Sequence, residues 1–273
     1  MSARSNTLAA SERTGRLAVG HRTTSGPARP VTEILAQAGV AMPARSPLLG
    51  NAVAEALTPA LGRDSARVEL QWAEPAAPHP GTAVRAESLI TRVQSTDTAT
   101  VQRRIALLDD AGTLRAEGTE IWRLPNTATV HVDAATDFCT PQWGELLRES
   151  LATEPDFASA LATWDGTIGL RCVDCGPSAR ELHLRIYRGQ IIDVTRRALG
   201  GATFTFVAAA HTWSDLMLAE RNDFMRRAIS GEFASSGNGY EYLRLTKPLN
   251  LIIARGRAIA AQRAAEPTEE SQA

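Results

Sequence analysis

Residues 105–116 read Ile105-Ala106-Leu107-Leu108-Asp109-Asp110-Ala111-Gly112-Thr113-Leu114-Arg115-Ala116. An apolar run stops at Asp-Asp-Ala-Gly and extended sequence resumes beyond it. Asp and Gly accept the backbone angles of a tight turn, so the pattern predicts a hairpin with arms over 100–108 and 114–124. Working back from it, 68–72 alternates Val68, Leu70 and Trp72 on one face, and 82–93 continues extended through Val84, Leu89 and Val93. Earlier still, Leu48, Leu49, Val53, Leu57 and Leu61 recur at helical spacing. They predict a helix over 47–61, with Gly62 where a C-terminal cap belongs. One helix followed by antiparallel strands predicts a sheet wrapped on a helix.

Forward of the hairpin, Leu124-Pro125-Asn126-Thr127 opens a Thr- and Asp-rich stretch that reads as a linker over 126–139. Two helices are expected next, around Trp143, Leu146 and Leu147 and around Phe157, Leu161 and Trp164. Strands follow over 167–173, 182–187, 190–195 and 202–208, with turns at Cys175-Gly176-Pro177-Ser178 and Arg188-Gly189. Helices are expected over 211–219 and 223–229, a short strand over 232–235, and a last helix over 240–261 that Pro248 bends or breaks. The fold class is therefore α+β. Residues 1–15 read as a disordered leader and 263–273 as a disordered tail, which leaves blocks at 16–125 and 140–262.

The chain has 273 residues and 44% hydrophobic content, enough for two cores. Its formal net charge of −1 offers no basic field for nucleic acid. Lys247 is the only lysine, which with abundant alanine suggests an actinobacterial kind of coding bias. The three cysteines Cys139, Cys172 and Cys175 are too few for a disulfide framework. Reduced thiols in a cytoplasmic protein are the simpler expectation. No apolar run has the length of a signal peptide or a membrane span, so no stable membrane insertion is expected.

The first block resembles the hotdog family, in particular MaoC-like acyl hydratases. The resemblance is carried by Leu17-Ala18-Val19-Gly20-His21-Arg22, by Arg29-Pro30-Val31-Thr32-Glu33, by Trp72-Ala73-Glu74-Pro75 with Pro80-Gly81, and by the closing hairpin through Glu117-Gly118-Thr119. MaoC-type hydratases place an Asp and a His in a Gly-Asp-x-Asn-Pro-x-His segment before the central helix, as paired acid–base groups beside a thioester carbonyl. Here 31–46 contains neither Asp nor His. Hydration by the family mechanism is not expected.

The second block resembles the sterol-carrier-protein-2-like family. The matching residues are Trp164-Asp165-Gly166-Thr167-Ile168-Gly169-Leu170, the strand ending in Arg188-Gly189, Ala202-Thr203-Phe204-Thr205-Phe206, His211-Thr212-Trp213, and Asp223-Phe224-Met225 with Gly231-Glu232-Phe233. The resemblance implies an α/β sandwich with an apolar cavity that holds an acyl chain, a sterol or a similar ligand. It carries over no catalytic residue.

Candidate residues follow from chemistry and from these resemblances. Glu55 lies on the expected central helix, where a hotdog thioesterase keeps its carboxylate, and Gly50 near the start of that helix offers a backbone N–H; the plain alternative is a solvent-facing Glu. His79 sits between prolines, which reads as a loop. His131 and Asp137 fall in the linker, within reach of a cavity if one is shared. Cys172-Val173-Asp174-Cys175 lacks the second ligand pair a zinc site needs, so no metal and no cofactor are expected. His183 alternates with Leu182 and Leu184, which predicts an exposed face. The apolar inventory of the second block yields ligand-lining candidates Phe204, Phe206, Trp213, Met217, Phe224, Met225, Ile229, Leu249 and Ile252.

Two functions fit. One is a binding module for a hydrophobic acyl, sterol-like or polyketide ligand, with the hotdog block forming a homodimer and positioning the ligand. The other is an enzyme of lipid or natural-product metabolism, of cyclase, dehydratase or thioesterase type, using the hotdog cleft on a polyketide or acyl thioester, as in antibiotic biosynthesis.

Overall fold

The computed structural model describes residues 17–41, 46–62, 64–95, 98–125, 130, 132–174 and 180–265. The chain divides into two compact units, 1–132 and 133–273.

The first unit runs β1 (Arg22–Thr24), β2 (Arg29–Pro30), α1 (Val31–Gln37), α2 (Leu49–Leu57), β3 (Ala66–Ala73), β4 (Ala83–Ser95), β5 (Ala99–Asp109) and β6 (Leu114–Arg123). Its sheet has the order β1-β4-β5-β6-β3, with β2 also on β4, and every pairing is antiparallel. Side chains alternate along each strand, so one face collects Val84, Ala86, Ile105, Leu107 and Ala116. These pack on Val31, Ile34 and Leu35 of α1 and on Leu49, Val53 and Ala54 of α2. The sheet wraps α2, which is the hotdog arrangement.

The hairpin turn forms as read: Gly112 takes φ +78°, and the Asp109 side chain accepts N–H groups from Ala111 and Thr113 at 3.0 and 2.8 Å. Two expectations change. Helix α2 ends at Leu57, not near Gly62, because Thr58 precedes Pro59 and a residue before proline is driven out of helical geometry. Thr58 instead turns its hydroxyl back to the Ala54 carbonyl at 2.7 Å. Val68 does not share a face with Leu70 and Trp72. The register of β3 on β6 skips it, a bulge that leaves its side chain 52% exposed.

The second unit runs α3 (Pro141–Ala152), α4 (Pro155–Ala160), β7 (Asp165–Val173), β8 (Arg180–Tyr187), β9 (Gln190–Thr195), β10 (Phe204–Ala209), α5 (Ala210–Met217), α6 (Phe224–Ile229), β11 (Ala234–Gly237), α7 (Gly239–Arg244) and α8 (Thr246–Ala265). The strand order is β11-β10-β7-β8-β9. β10 lies parallel to β7, and the remaining pairs are antiparallel. Thr140 caps α3 by accepting the Trp143 N–H, with Pro141 in the first turn. The last helix is broken in two at Leu245, and Pro248 falls in the first turn of α8, where its missing N–H has no partner to lose.

His183 corrects the alternation reading. It does point away from Leu182 and Leu184, yet it is only 3% exposed. The β9–β10 loop covers that face, with the Ala198 N–H donating to His183 Nδ1 at 2.9 Å. The thiol expectation changes as well: Cys172 is disulfide-bonded, which removes the ground on which reduced thiols pointed to a cytoplasm. Cys175 lies outside the described residues.

Candidate functional site

Alternation on β10 turns Phe204 and Phe206 to the same fully buried face. Helix α5 follows with no loop, so its first turns fold back over that strand. Trp213 on α5 meets Phe206 edge-on at 6.3 Å, and its indole N–H is fixed by the Arg171 carbonyl at 3.0 Å. From α6, Phe224 reaches Phe206 at 5.1 Å. Phe233, just before β11, stacks on Phe206 at 4.7 Å and meets Trp213 edge-on at 5.1 Å. Tyr242 of α7 completes the group, 5.9 Å from Phe206 and 6.0 Å from Phe204. Phe206 is thus the hub of an aromatic cluster under two six-residue helices.

Seven of the nine residues proposed to line a ligand site are buried in this unit: Phe204, Phe206, Trp213, Met217, Phe224, Leu249 and Ile252. Met225 and Ile229 are not among them, being 43% and 84% exposed. A six-residue helix turns one narrow face inward, and in α6 that face carries Phe224 alone. Arg227 fixes this orientation through Asp223 and Glu232 at 2.8 and 2.7 Å. Phe233 and Tyr242 join the cluster without having been among the candidates. The Gly231-Glu232-Phe233 signal was visible, but nothing local told that its ring would stack on Phe206.

Helix α7 buries no residue. Its ties are the Tyr242 ring, the Asn238 cap on the N–H groups of Tyr240 and Glu241, and Glu241, which accepts the Trp164 indole N–H at 2.8 Å. Tyr240 and Leu243 on its outer side are 72% and 70% exposed.

The first unit holds charge inside instead. Arg103 and Glu120 face each other across β5 and β6 on the α2 side of the sheet, 2.7 Å apart and with side chains 4% and 2% exposed. Glu120 also accepts from Arg67 and from the Trp122 indole, each at 2.8 Å. Burial pushes the Glu120 carboxyl up, but Arg103, Trp122 and Arg67 outweigh it and hold the group below its ordinary value. A carboxylate held so firmly ionised does not act as a general acid. Arg67 reaches on to form an ion pair with Glu55, so the candidate thioesterase carboxylate is committed to a guanidinium. The Gly50 N–H is committed too, donating to Glu74 at 3.0 Å.

The other candidates are just as separate. His79 is exposed in a turn closed by Thr82. Asp137 accepts from the buried Arg180 at 2.6 Å. His131 lies outside the described residues. Cys139 is free and fully buried, and burial drives its thiol far above the usual range, so it is no nucleophile. Among the described residues no group of acidic, His or Cys side chains is placed to hold a metal ion, and no helix is long and apolar enough to cross a membrane.

No family model matches the sequence, and no curated protein matches it. Among solved structures, sterol carrier protein 2 is 16% identical and matches 44% of this chain and 98% of its own, with a TM-score of 0.39. The MaoC-like dehydratase from Rhodospirillum rubrum is 19% identical over 40% of this chain and 94% of its own, with a TM-score of 0.31. The R-hydratase PhaJ1 from Pseudomonas aeruginosa is 13% identical over 44% of this chain and 96% of its own, again at 0.31. The neighbours therefore include both sterol carrier and MaoC-like hydratase structures, each covering part of the chain.

Proposed function

We propose that the protein binds an apolar small molecule of acyl, sterol-like or polyketide type within the aromatic cluster of its second unit. The observation that carries this reading is Phe206 packed among four rings beneath α6 and α7, of which α7 buries no residue of its own. A ligand entering there exchanges ring–ring contacts for ligand–ring contacts and displaces only a short helix. In this reading the second unit, from Asp133 on, is the carrier domain and 16–125 a hotdog domain that dimerises. The long edge strand β3, which among the described residues pairs only with β6, is the place we assign to a second copy. The enzyme reading has less support, because Glu55, Asp137 and the Gly50 N–H are each engaged by another group.

The test is thermal unfolding of the full chain with fatty acids, sterols and aromatic polyketide-like compounds. A ligand that binds only the folded state adds about 2.7 kcal/mol at a hundredfold excess over Kd, visible as a rise in Tm. If no compound of the panel shifts Tm or the tryptophan emission, the cluster is a plain core and the proposal fails.

A further inference from the structure

The loop from β9 to β10 reads Arg196-Arg197-Ala198-Leu199-Gly200-Gly201-Ala202-Thr203. Leu199 has a relative exposure of 110%, the highest among the described large apolar side chains. It is held outward by the loop beneath it. The Ala198 N–H is tied to the buried His183 at 2.9 Å, and His183 Nε2 meets Glu181 at 2.9 Å. Since Nδ1 accepts, Nε2 carries the proton and donates to that carboxylate. Gly201, at φ +73°, closes the turn through its N–H to the Ala198 carbonyl at 2.9 Å.

Arg196 and Arg197 precede the leucine on the same loop, both exposed, and among the described residues neither is in an ion pair. Residues 185–201 hold four arginines and one aspartate in a chain whose net charge is −1. Of these arginines Arg185 is paired with Asp165.

A projecting leucine just beyond two unpaired guanidiniums suits few surfaces. A protein partner needs a contiguous patch of roughly several hundred Å² on each side, and one side chain does not supply it. An anionic bilayer accepts a single leucine at its acyl boundary while phosphates pair with the neighbouring arginines. We propose that this loop docks the second unit reversibly on an anionic lipid surface, Leu199 entering the acyl boundary and Arg196 and Arg197 holding headgroup phosphates. This goes beyond the ligand-binding reading and does not depend on it.

The experiment is cosedimentation of the full chain with vesicles of phosphatidylglycerol and phosphatidylcholine in equal parts, against phosphatidylcholine alone. The chain should bind the anionic vesicles, less so at high salt. Arg196→Ala and Arg197→Ala should each weaken binding about fivefold, and Leu199→Asp about tenfold or more, with circular dichroism unchanged because all three positions are exposed. Equal binding to neutral vesicles, or full binding by Leu199→Asp, overturns the proposal. Self-association lost on Leu199→Asp, without vesicle binding, assigns the loop to a second copy and overturns it too. Vesicle failure with ligand shifts intact sinks docking alone, and docking without any ligand shift sinks the ligand reading alone.

Discussion

Phe206 and Phe233 lie nearly parallel, with ring centroids 4.7 Å apart and 10° between their planes. One belongs to β10 and the other to the segment between α6 and β11, so their stacking brings that segment onto the sheet. Phe233 also meets Trp213 and Phe224 at 5.1 and 6.0 Å. Phe233→Ala should therefore destabilise the second unit by about 3–5 kcal/mol, and Phe233→Leu by less, since it keeps most of the volume. Denaturant unfolding followed by near-ultraviolet circular dichroism measures both. A loss for the Ala variant within about 0.5 kcal/mol would mean the ring is peripheral.

The Arg103–Glu120 pair should govern acid stability in the first unit. The folded-state pKa of Glu120 lies below its ordinary value of 4.5. Its contribution is then complete above that value and is lost as pH falls through the depressed folded value. Asp109 acts with the same sign, held below 3.8 chiefly by the Thr113 N–H and by Arg115. Melting temperature should be level from neutral pH down to about pH 5 and fall steeply below. Glu120→Gln leaves Arg103 buried without its charge, at about 3–5 kcal/mol, and should flatten the acid limb. An unaltered acid limb in that variant would assign the loss to other carboxylates.

How far local pattern reached is visible at particular residues. The turn at Asp109 to Gly112 was legible because its backbone angles restrict which side chains fit. Leu61 suited a helical period, but the period is blind to the proline at 59 that ends α2 sooner. The bulge at Val68 reverses a face with no signal in composition. His183 faces as alternation required, yet a loop from elsewhere in its unit buries it, and coverage of that kind is not a local property. The candidate rings on β10 and α5 were legible from apolar spacing. Phe233 and Tyr242 were not, because what makes them part of the cluster is the fold bringing them to Phe206.

The purified protein should not hydrate a medium-chain enoyl thioester. The central helix offers Glu55 already paired with Arg67 and a Gly50 N–H already donating to Glu74. The absorbance of the enoyl thioester, followed with enzyme and without, decides the matter. A rate above background that Glu55→Gln abolishes would show that the ion pair opens in the substrate complex.

Neighbouring positions on α6 make the sharpest test of the ligand site. Apolar spacing put Phe224, Met225 and Ile229 together inside, where Met225→Arg would bury a charge and abolish binding. The fold separates them: Phe224 is 1% exposed, Met225 43% and Ile229 84%. Arginine at 225 projects into water along a side already bearing Arg226, which is 64% exposed. Met225→Arg should thus change stability by no more than about 0.5 kcal/mol and leave the ligand-induced rise in Tm intact. Phe224→Ala removes a ring that touches both Phe206 and Phe233. It should cost about 3–5 kcal/mol and alter which ligands bind, favouring those with a ring to fill the space. Thermal shift with one aliphatic and one aromatic ligand, run on both variants, reads these effects in parallel. If Met225→Arg abolishes the shift while Phe224→Ala spares it, the apolar ligand lies against the outer side of α6, and the aromatic cluster is only core.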